Sequence, residues 1–151
     1  MWVSNHAYRL PAIILDIDGV IVKGRSVIGN SPSVIRSLLL PYTAQNLQIP
    51  FALMTNGGGI PEPEKAEDIN RRLGLPLSPE EGLKLHGDHM ILCHTPLRDP
   101  ELLKVYGDKY VIVTGTYEEL HVAQLYGYKK AIHVEELAAF YNDQIPNDLP
   151  V

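Results

Sequence analysis

Cysteine is almost missing from this chain: Cys93 is the only one in 151 residues. That excludes an intramolecular disulfide and a cysteine-built zinc site, and it fits a reducing compartment. Positive charge is also scarce. Thirteen lysines and arginines face eighteen aspartates and glutamates, for a net charge of -5, so the basic face of a nucleic-acid module is not expected. No apolar run approaches the roughly 18 residues that suggest a membrane-spanning helix. Residues 1–11 carry one arginine and no long apolar stretch. They read as a lead-in, neither a secretory signal nor a convincing transit peptide.

What is present is the composition of a soluble globular protein, 45% hydrophobic and 21% charged, long enough for one domain with a real core. Apolar runs bounded by turn residues predict strands at 12–17, 50–55, 90–93, 109–113 and 131–134. Between them lie helical patterns. Ser31-Pro32 opens one as N-cap and first-turn proline, and Pro41 ends it. Others are expected at 63–73, closed by Gly74, at Ser78–Glu81, and from Asp99-Pro100 to Tyr106. Two more cover 117–126 and 135–141, and residues 42–48 are ambiguous. Strands alternating with helices predict an α/β fold with a mostly parallel, Rossmann-like sheet and helices on both sides. There is no internal repeat and no obvious linker.

The stretch with most chemical content is Ile13-Ile14-Leu15-Asp16-Ile17-Asp18-Gly19. An apolar strand runs into two carboxylates one residue apart. Residues i and i+2 of a strand point the same way, so Asp16 and Asp18 can converge on one ligand. Carboxylates that close repel, which favours a cation between them or a proton on one of them. A turn whose aspartates cap the backbone is the plainer reading. The second such strand end is Thr55-Asn56-Gly57-Gly58-Gly59. It is either a glycine turn or an anion cradle built from a hydroxyl and successive backbone N–H groups. In parallel sheets ligands bind beyond the carboxyl ends of the strands. Two such ends carrying matching chemistry point to a phosphate site. Magnesium suits it, because that ion needs only one or two carboxylates beside waters and phosphate oxygens.

These two motifs resemble those of the haloacid dehalogenase superfamily of aspartate-nucleophile phosphatases. The Thr55–Gly59 form, Val113-Thr114-Gly115-Thr116 and Ala123-Gln124-Leu125-Tyr126-Gly127-Tyr128 are similar to subfamily IIA. Within it they look like the cat eye syndrome critical region type, including its fungal mitochondrial members. The resemblance implies Asp16 as nucleophile and magnesium ligand, and Asp18 as general acid/base and ligand through its carbonyl. It implies Thr55 as hydrogen-bond donor to the phosphoryl group, Asn56 and Gly57 as loop lining, and a small phosphorylated metabolite as substrate. A mitochondrial location follows from the same resemblance, with a cytoplasmic one otherwise.

The family pattern also needs a lysine beside the nucleophile and further acidic residues on the metal, both in the second half of its core. Neither is found in residues 1–151. Lys129 and Lys130 precede a short strand early in the core, which is the wrong place. The chain is therefore expected to be the N-terminal half of such a core over 12–145, ending near where the cap begins, with a tail at 146–151. The expectation is a magnesium-dependent phosphohydrolase inactive in this form, or else a non-catalytic interaction module or half of a split protein. An open sheet edge implies self-association. A glycosyltransferase D-x-D would leave Thr55–Gly59 unexplained, and a receiver domain carries its acids on different strands.

Other candidates are weaker. His86-Gly87-Asp88-His89 is expected to be a surface loop and not a metal face. Cys93 is expected in the core and not paired with His94. His121 and His133 are expected to be exposed or half-buried. Tyr106, Tyr110, Tyr117, Tyr126, Tyr128 and Tyr141 should pack between sheet and helices. Glu62, Glu64, Lys65, Glu67 and Asp68 should form a solvated helix start.

Overall fold

The computed structural model describes residues 11–41, 48–76, 82–115 and 117–144, and these divide into two compact units. The first comprises the chain to Asn56 together with Glu62–Leu92. The second comprises Gly57–Pro61 and the chain from Cys93 onward. Residues 1–10 of the expected lead-in at 1–11, residues 42–47 of the ambiguous 42–48, the expected helix at Ser78–Glu81 and the tail at 146–151 lie outside the described residues.

In the first unit, β1 (Ile13–Asp16), β4 (Phe51–Thr55) and β5 (Met90–Leu92) form a parallel sheet in the order β1-β4-β5. Leu53 pairs with Leu15 on one side and Met90 on the other. The strands are connected through α1 (Ser31–Leu39) and α2 (Glu62–Leu73). Parallel neighbours require such crossovers. The hairpin-like excursion after Asp18 is a short antiparallel ribbon of β2 (Val22–Lys23) and β3 (Ser26–Val27).

Helix α1 begins one residue earlier than its capping signal. Asn30 is the N-cap without a side-chain bond, and the Ser31 hydroxyl instead donates back to the Ile28 carbonyl at 2.6 Å. Leu40 turns extended before Pro41, as a residue preceding proline must. Gly74 closes α2 at φ +66°. Ile35 and Leu39 of α1 and Ala66, Ile69 and Leu73 of α2 enclose Ile17, Leu53 and Met90 in one core. The opposite sheet face leaves Ile14 60% and Met54 42% exposed.

Two polar residues of α2 behave unlike a solvated face. Glu62 is buried. Asn70, also buried, accepts from the Leu85 N–H at 2.8 Å and donates to the Leu85 carbonyl at 2.9 Å. Its amide thus pairs with the passing chain as a strand neighbour would, satisfying both backbone groups. Arg72 links α2 to the ribbon, donating to the Gly24 carbonyl at 2.8 Å while pairing with Asp68 at 2.7 Å.

The second unit has its own parallel pair, β6 (Tyr110–Val113) with β7 (Lys130–His133), joined through α4 (Tyr117–Tyr126). Helix α3 (Pro100–Tyr106) precedes β6, and α5 (Val134–Gln144) follows β7. Asp99 caps α3 as its sequence suggests, its carboxylate accepting from Glu101 N–H at 2.7 Å. Among the described residues the strands form three sheets, β1-β4-β5, β2-β3 and β6-β7.

The tyrosines divide. Tyr128 is buried and donates to the Leu97 carbonyl at 2.9 Å, but Tyr110 is 75% exposed, and Tyr106 and Tyr141 are also exposed. Tyr110 opens β6 on the outward side of the strand, where Lys130 sits over its ring, 5.3 Å from the centroid.

Candidate functional site

The burial alternation of β1 continues past its last paired residue. Leu15 is half-buried, Asp16 exposed, Ile17 fully buried and Asp18 exposed. The two carboxylates are therefore the outward members of the alternation, as their spacing predicts. Ile17 is the pivot. Its carbonyl accepts from the Ile21 N–H at 2.9 Å and the Val22 N–H at 3.0 Å, folding the chain back immediately after Asp18. Gly19 makes that reversal at φ +86°, a conformation that costs glycine little, and donates to the Val22 carbonyl at 2.7 Å. Asp16 Oδ1 accepts from the Ile17 N–H at 2.8 Å, which orients the carboxylate.

Thr55 ends β4 with its side chain buried, and its hydroxyl donates to Asp18 Oδ2 at 3.0 Å. This long-range bond joins the two motifs that the sequence singles out. Asn56 follows, exposed. Gly57 belongs to the second unit. There the glycine segment is tightly enclosed: a Cβ on Gly58 would meet Cys93 Sγ at 2.7 Å, and one on Gly59 would meet Glu119 Oε1 at 3.0 Å. Gly59 also sits at φ +90°. A side chain at Gly58 would force Cys93 to shift, and one at Gly59 would be strained by the positive φ.

The donors at Asp16 and Asp18 are hard carboxylate oxygens, which suit a hard divalent cation such as magnesium or calcium better than zinc. Among the described residues no group of three or more His, Cys, Asp or Glu side chains is arranged to hold a metal. An ion here would have to share its remaining positions with water and substrate, as magnesium does.

Of the weaker candidates, His86 and His89 cap one another across a single tight turn. The His86 N–H donates to His89 Nδ1 at 3.0 Å, and Phe51 lies 4.9 Å from the His89 ring. Burial pushes His89 below its usual 6.5; a hydrogen bond with the His86 backbone works against this, charge repulsion from His86 adds to it, and Asp88 opposes it. A native pKa below the unfolded one means that the unfolded chain binds more protons. The stabilisation is complete above about 6.5 and is lost as pH falls from there through the lower native value. The urea midpoint should thus drop between pH 7.5 and 5.5. His89→Asn, which keeps an acceptor for His86 but does not titrate, should flatten the drop; an equal drop in both proteins would reject this role.

Cys93 is exposed and not in the core, because it falls just beyond the end of β5. His133 is the opposite case. It is 2% exposed, with Nε2 3.0 Å from the Gly115 carbonyl and Nδ1 accepting from the Glu135 N–H at 3.3 Å. Those partners require the neutral ring with its proton on Nε2. It ties the ends of β6 and β7 together. His121 is exposed as expected. Asn70, Glu119 and the His94–Tyr126 pair, joined at 2.7 Å, gave no sequence signal, since each depends on a partner distant along the chain.

Comparison with known proteins places these motifs in context. Residues 13–129 match the family model described as haloacid dehalogenase-like hydrolase. A mitochondrial hydrolase of Saccharomyces cerevisiae is 28% identical over 135 residues, covering 89% of this chain and 33% of its own. The chain thus spans about a third of that relative's length. The crystal structure of a hypothetical protein from Pyrococcus horikoshii OT3 superposes with a TM-score of 0.58 at 20% identity, over 92% of this chain and 49% of its own. That likeness shows a shared fold. A glycerol phosphate phosphatase of Mycobacterium tuberculosis, in complex with calcium, gives a TM-score of 0.48 at 17% identity, over 81% and 30% of the respective chains.

Proposed function

From the premise that the chain belongs to the haloacid dehalogenase-like hydrolase family, we propose that its first unit carries the nucleophile half of a magnesium-dependent phosphatase site. The observation that carries this reading is the hydroxyl of Thr55 on the carboxylate of Asp18, at the ends of adjacent parallel strands.

Asp16 is the nucleophile. Its Oδ1 is engaged by the Ile17 N–H, leaving Oδ2 to attack phosphorus as the ester P–O bond breaks. Asp18 gives its proton to the departing oxygen, then takes one from the water that cleaves the aspartyl-phosphate. Thr55 holds Asp18 by one carboxylate oxygen, so a phosphoryl group that claimed the Thr55 hydroxyl would release Asp18 toward the reacting atoms. Magnesium, held by Asp16 and the Asp18 carbonyl, would offset the charge of carboxylate and phosphate when bound. Asn56 and Gly57 contribute loop N–H groups to the phosphate oxygens.

Turnover is assigned to the whole protein and not to these 151 residues by themselves. Among the described residues Asp16 makes no ion pair, whereas Lys129 pairs with Asp108 at 3.0 Å and Lys130 covers Tyr110. A cation at the nucleophile belongs to the electrostatic stabilisation that is often the largest catalytic contribution. The compartment is read as mitochondrial, following the yeast relative.

The second reading, a non-catalytic partner half, is favoured by the exposed face bearing Ile14 and Met54. Exposed apolar sheet surface promotes association. The chain is expected to elute above monomer size on gel filtration, with Ile14→Thr/Met54→Gln moving it toward monomer. Elution of the parent chain as a clean monomer would remove the support for this reading.

The phosphatase reading is tested by adding inorganic phosphate with magnesium to the labelled chain and following amide shifts by NMR. The Thr55 and Gly57 amides should shift with one common midpoint, and Thr55→Val should weaken binding about tenfold, the worth of one charge-assisted hydrogen bond. Amides that stay silent in a folded sample would overturn it.

A further inference from the structure

The chain as a whole is acidic, but within its second unit the charge is sorted. Lysines collect where the parallel pair begins. Lys109 immediately precedes β6, Lys130 opens β7 opposite Tyr110, and Lys129 stands one residue earlier. The backbone presenting them is fixed: the Lys109 N–H donates to the Tyr106 carbonyl and the Lys129 N–H to the Gly107 carbonyl, each at 2.9 Å. All three lysines are exposed. They surround one acid, Asp108, which pairs with Lys129 at 3.0 Å. The hydrogen bond and charge of Lys129, and then the charges of Lys130 and Lys109, hold the Asp108 carboxyl below its usual range. Lys109 and Lys130 make no ion pair among the described residues, so positive charge is left over.

The acids lie at the other end of the strands, with Glu118 and Glu119 in the first turn of α4 and Glu135 and Glu136 in that of α5. A strand of four residues, as β6 and β7 both are, is about 13 Å long. That exceeds the Debye length of about 8 Å at physiological salt, so the basic end acts on its surroundings separately from the acidic one. The outward side of β6 is apolar. Tyr110 is 75% and Ile112 56% exposed, while Val111 and Val113 between and after them are half-buried. Lys130 shares that side, its ammonium 5.3 Å from the centre of the Tyr110 ring.

These features restrict what can cover the face. Exposed apolar side chains in a group favour contact with another apolar surface. A wholly apolar cover would nevertheless strand Lys109 and Lys130 without water or counter-charge, which is costly. A bilayer containing acidic lipid meets both demands. Its headgroup phosphates pair with the ammonium groups while the lysine stems lie along the apolar side chains, and tyrosine is enriched at that boundary. We infer that Lys109, Lys129 and Lys130, set around the exposed Tyr110–Ile112 face of the second unit, form a docking surface for an anionic phospholipid membrane. The attachment is peripheral, since no helix among the described residues is long and apolar enough to cross a membrane. It is independent of the phosphatase reading, which centres on the first unit.

The test is flotation of the 151-residue chain with vesicles, which separates bound protein from aggregates. The chain should float with vesicles of phosphatidylcholine and phosphatidylglycerol and not with phosphatidylcholine alone, and added salt should release it. Each lysine changed to glutamine should weaken binding about fivefold, and the triple variant Lys109→Gln/Lys129→Gln/Lys130→Gln about a hundredfold. Asp108→Asn, which removes the opposing charge, should instead strengthen binding severalfold, a gain that misfolding does not produce. Tyr110→Ser should weaken binding while leaving its salt dependence unchanged. A folded chain that ignores both vesicles, or floats equally with both, overturns the inference. So does anionic binding that the triple variant and Asp108→Asn leave unaltered. Retention by polyglutamate or duplex DNA without flotation also overturns it, and assigns the basic end to a protein or nucleic-acid partner.

Discussion

Asparagine in place of Asp16 is expected to reduce phosphate-ester hydrolysis to background in any form of this protein that turns over, a loss on the order of 10⁴-fold or more. An amide oxygen is a far poorer nucleophile than a carboxylate, and no other carboxylate side chain extends from the end of β1 at that point. The structural cost should be close to nil. Asp16 is exposed, and the hydrogen bond it makes among the described residues, from the Ile17 N–H to Oδ1, can be kept by the asparagine carbonyl. Exposed substitutions of this kind stay within about 0.5 kcal/mol. The combination of lost turnover with an unchanged thermal midpoint identifies a chemical role; a lowered midpoint would indicate a structural one.

The largest stability effect is expected at Leu53. It lies at the centre of the first sheet, fully buried, between Leu15 and Met90. Leu53→Ala removes side-chain atoms that the rigid β1 and β5 neighbours cannot replace, and such truncations cost about 2–5 kcal/mol. Native domains have only about 5–15 kcal/mol in total. The denaturant midpoint should fall steeply with the slope preserved. Leu53 lies two residues before Thr55 on the same side of β4, so the hydroxyl that meets Asp18 should lose definition too. Leu53→Met, which roughly conserves volume, should cost less than about 1.5 kcal/mol. If alanine and methionine behave alike, the sheet centre is not packed as described.

The sequence was most informative where local pattern and tertiary environment agree. The alternation that buries Ile17 and exposes Asp16 and Asp18 is written in Leu15-Asp16-Ile17-Asp18, and the glycine that reverses the chain stands next to it. Helices α3 and α4 begin and end where Asp99-Pro100 and the run Tyr117–Tyr126 place them. Prediction failed where a residue's role is decided by a remote partner. Asn70 resembles any polar helix residue until Leu85 passes beside it. His133 resembles a strand-end histidine until the Gly115 carbonyl closes over it. Cys93 has a core residue's chemistry but lies one position beyond the paired strand. Glu119 is an ordinary first-turn acid whose carboxylate happens to meet the glycine segment at Gly59. No periodicity encodes such meetings, because they depend on contacts between segments far apart in the chain.

The proposal joins two claims: that Asp16 is the nucleophile, and that a cation and a further acid from outside the described residues are needed for turnover. The measurement that bears on both is hydrolysis of a generic aryl phosphate by the purified chain, with and without magnesium, beside Asp16→Asn. The account predicts a folded sample whose phosphate release matches that of the variant. Magnesium-dependent release that disappears in Asp16→Asn would contradict the second claim, since the missing cation and acid would then be supplied within the chain. Release that persists undiminished in Asp16→Asn would contradict the first.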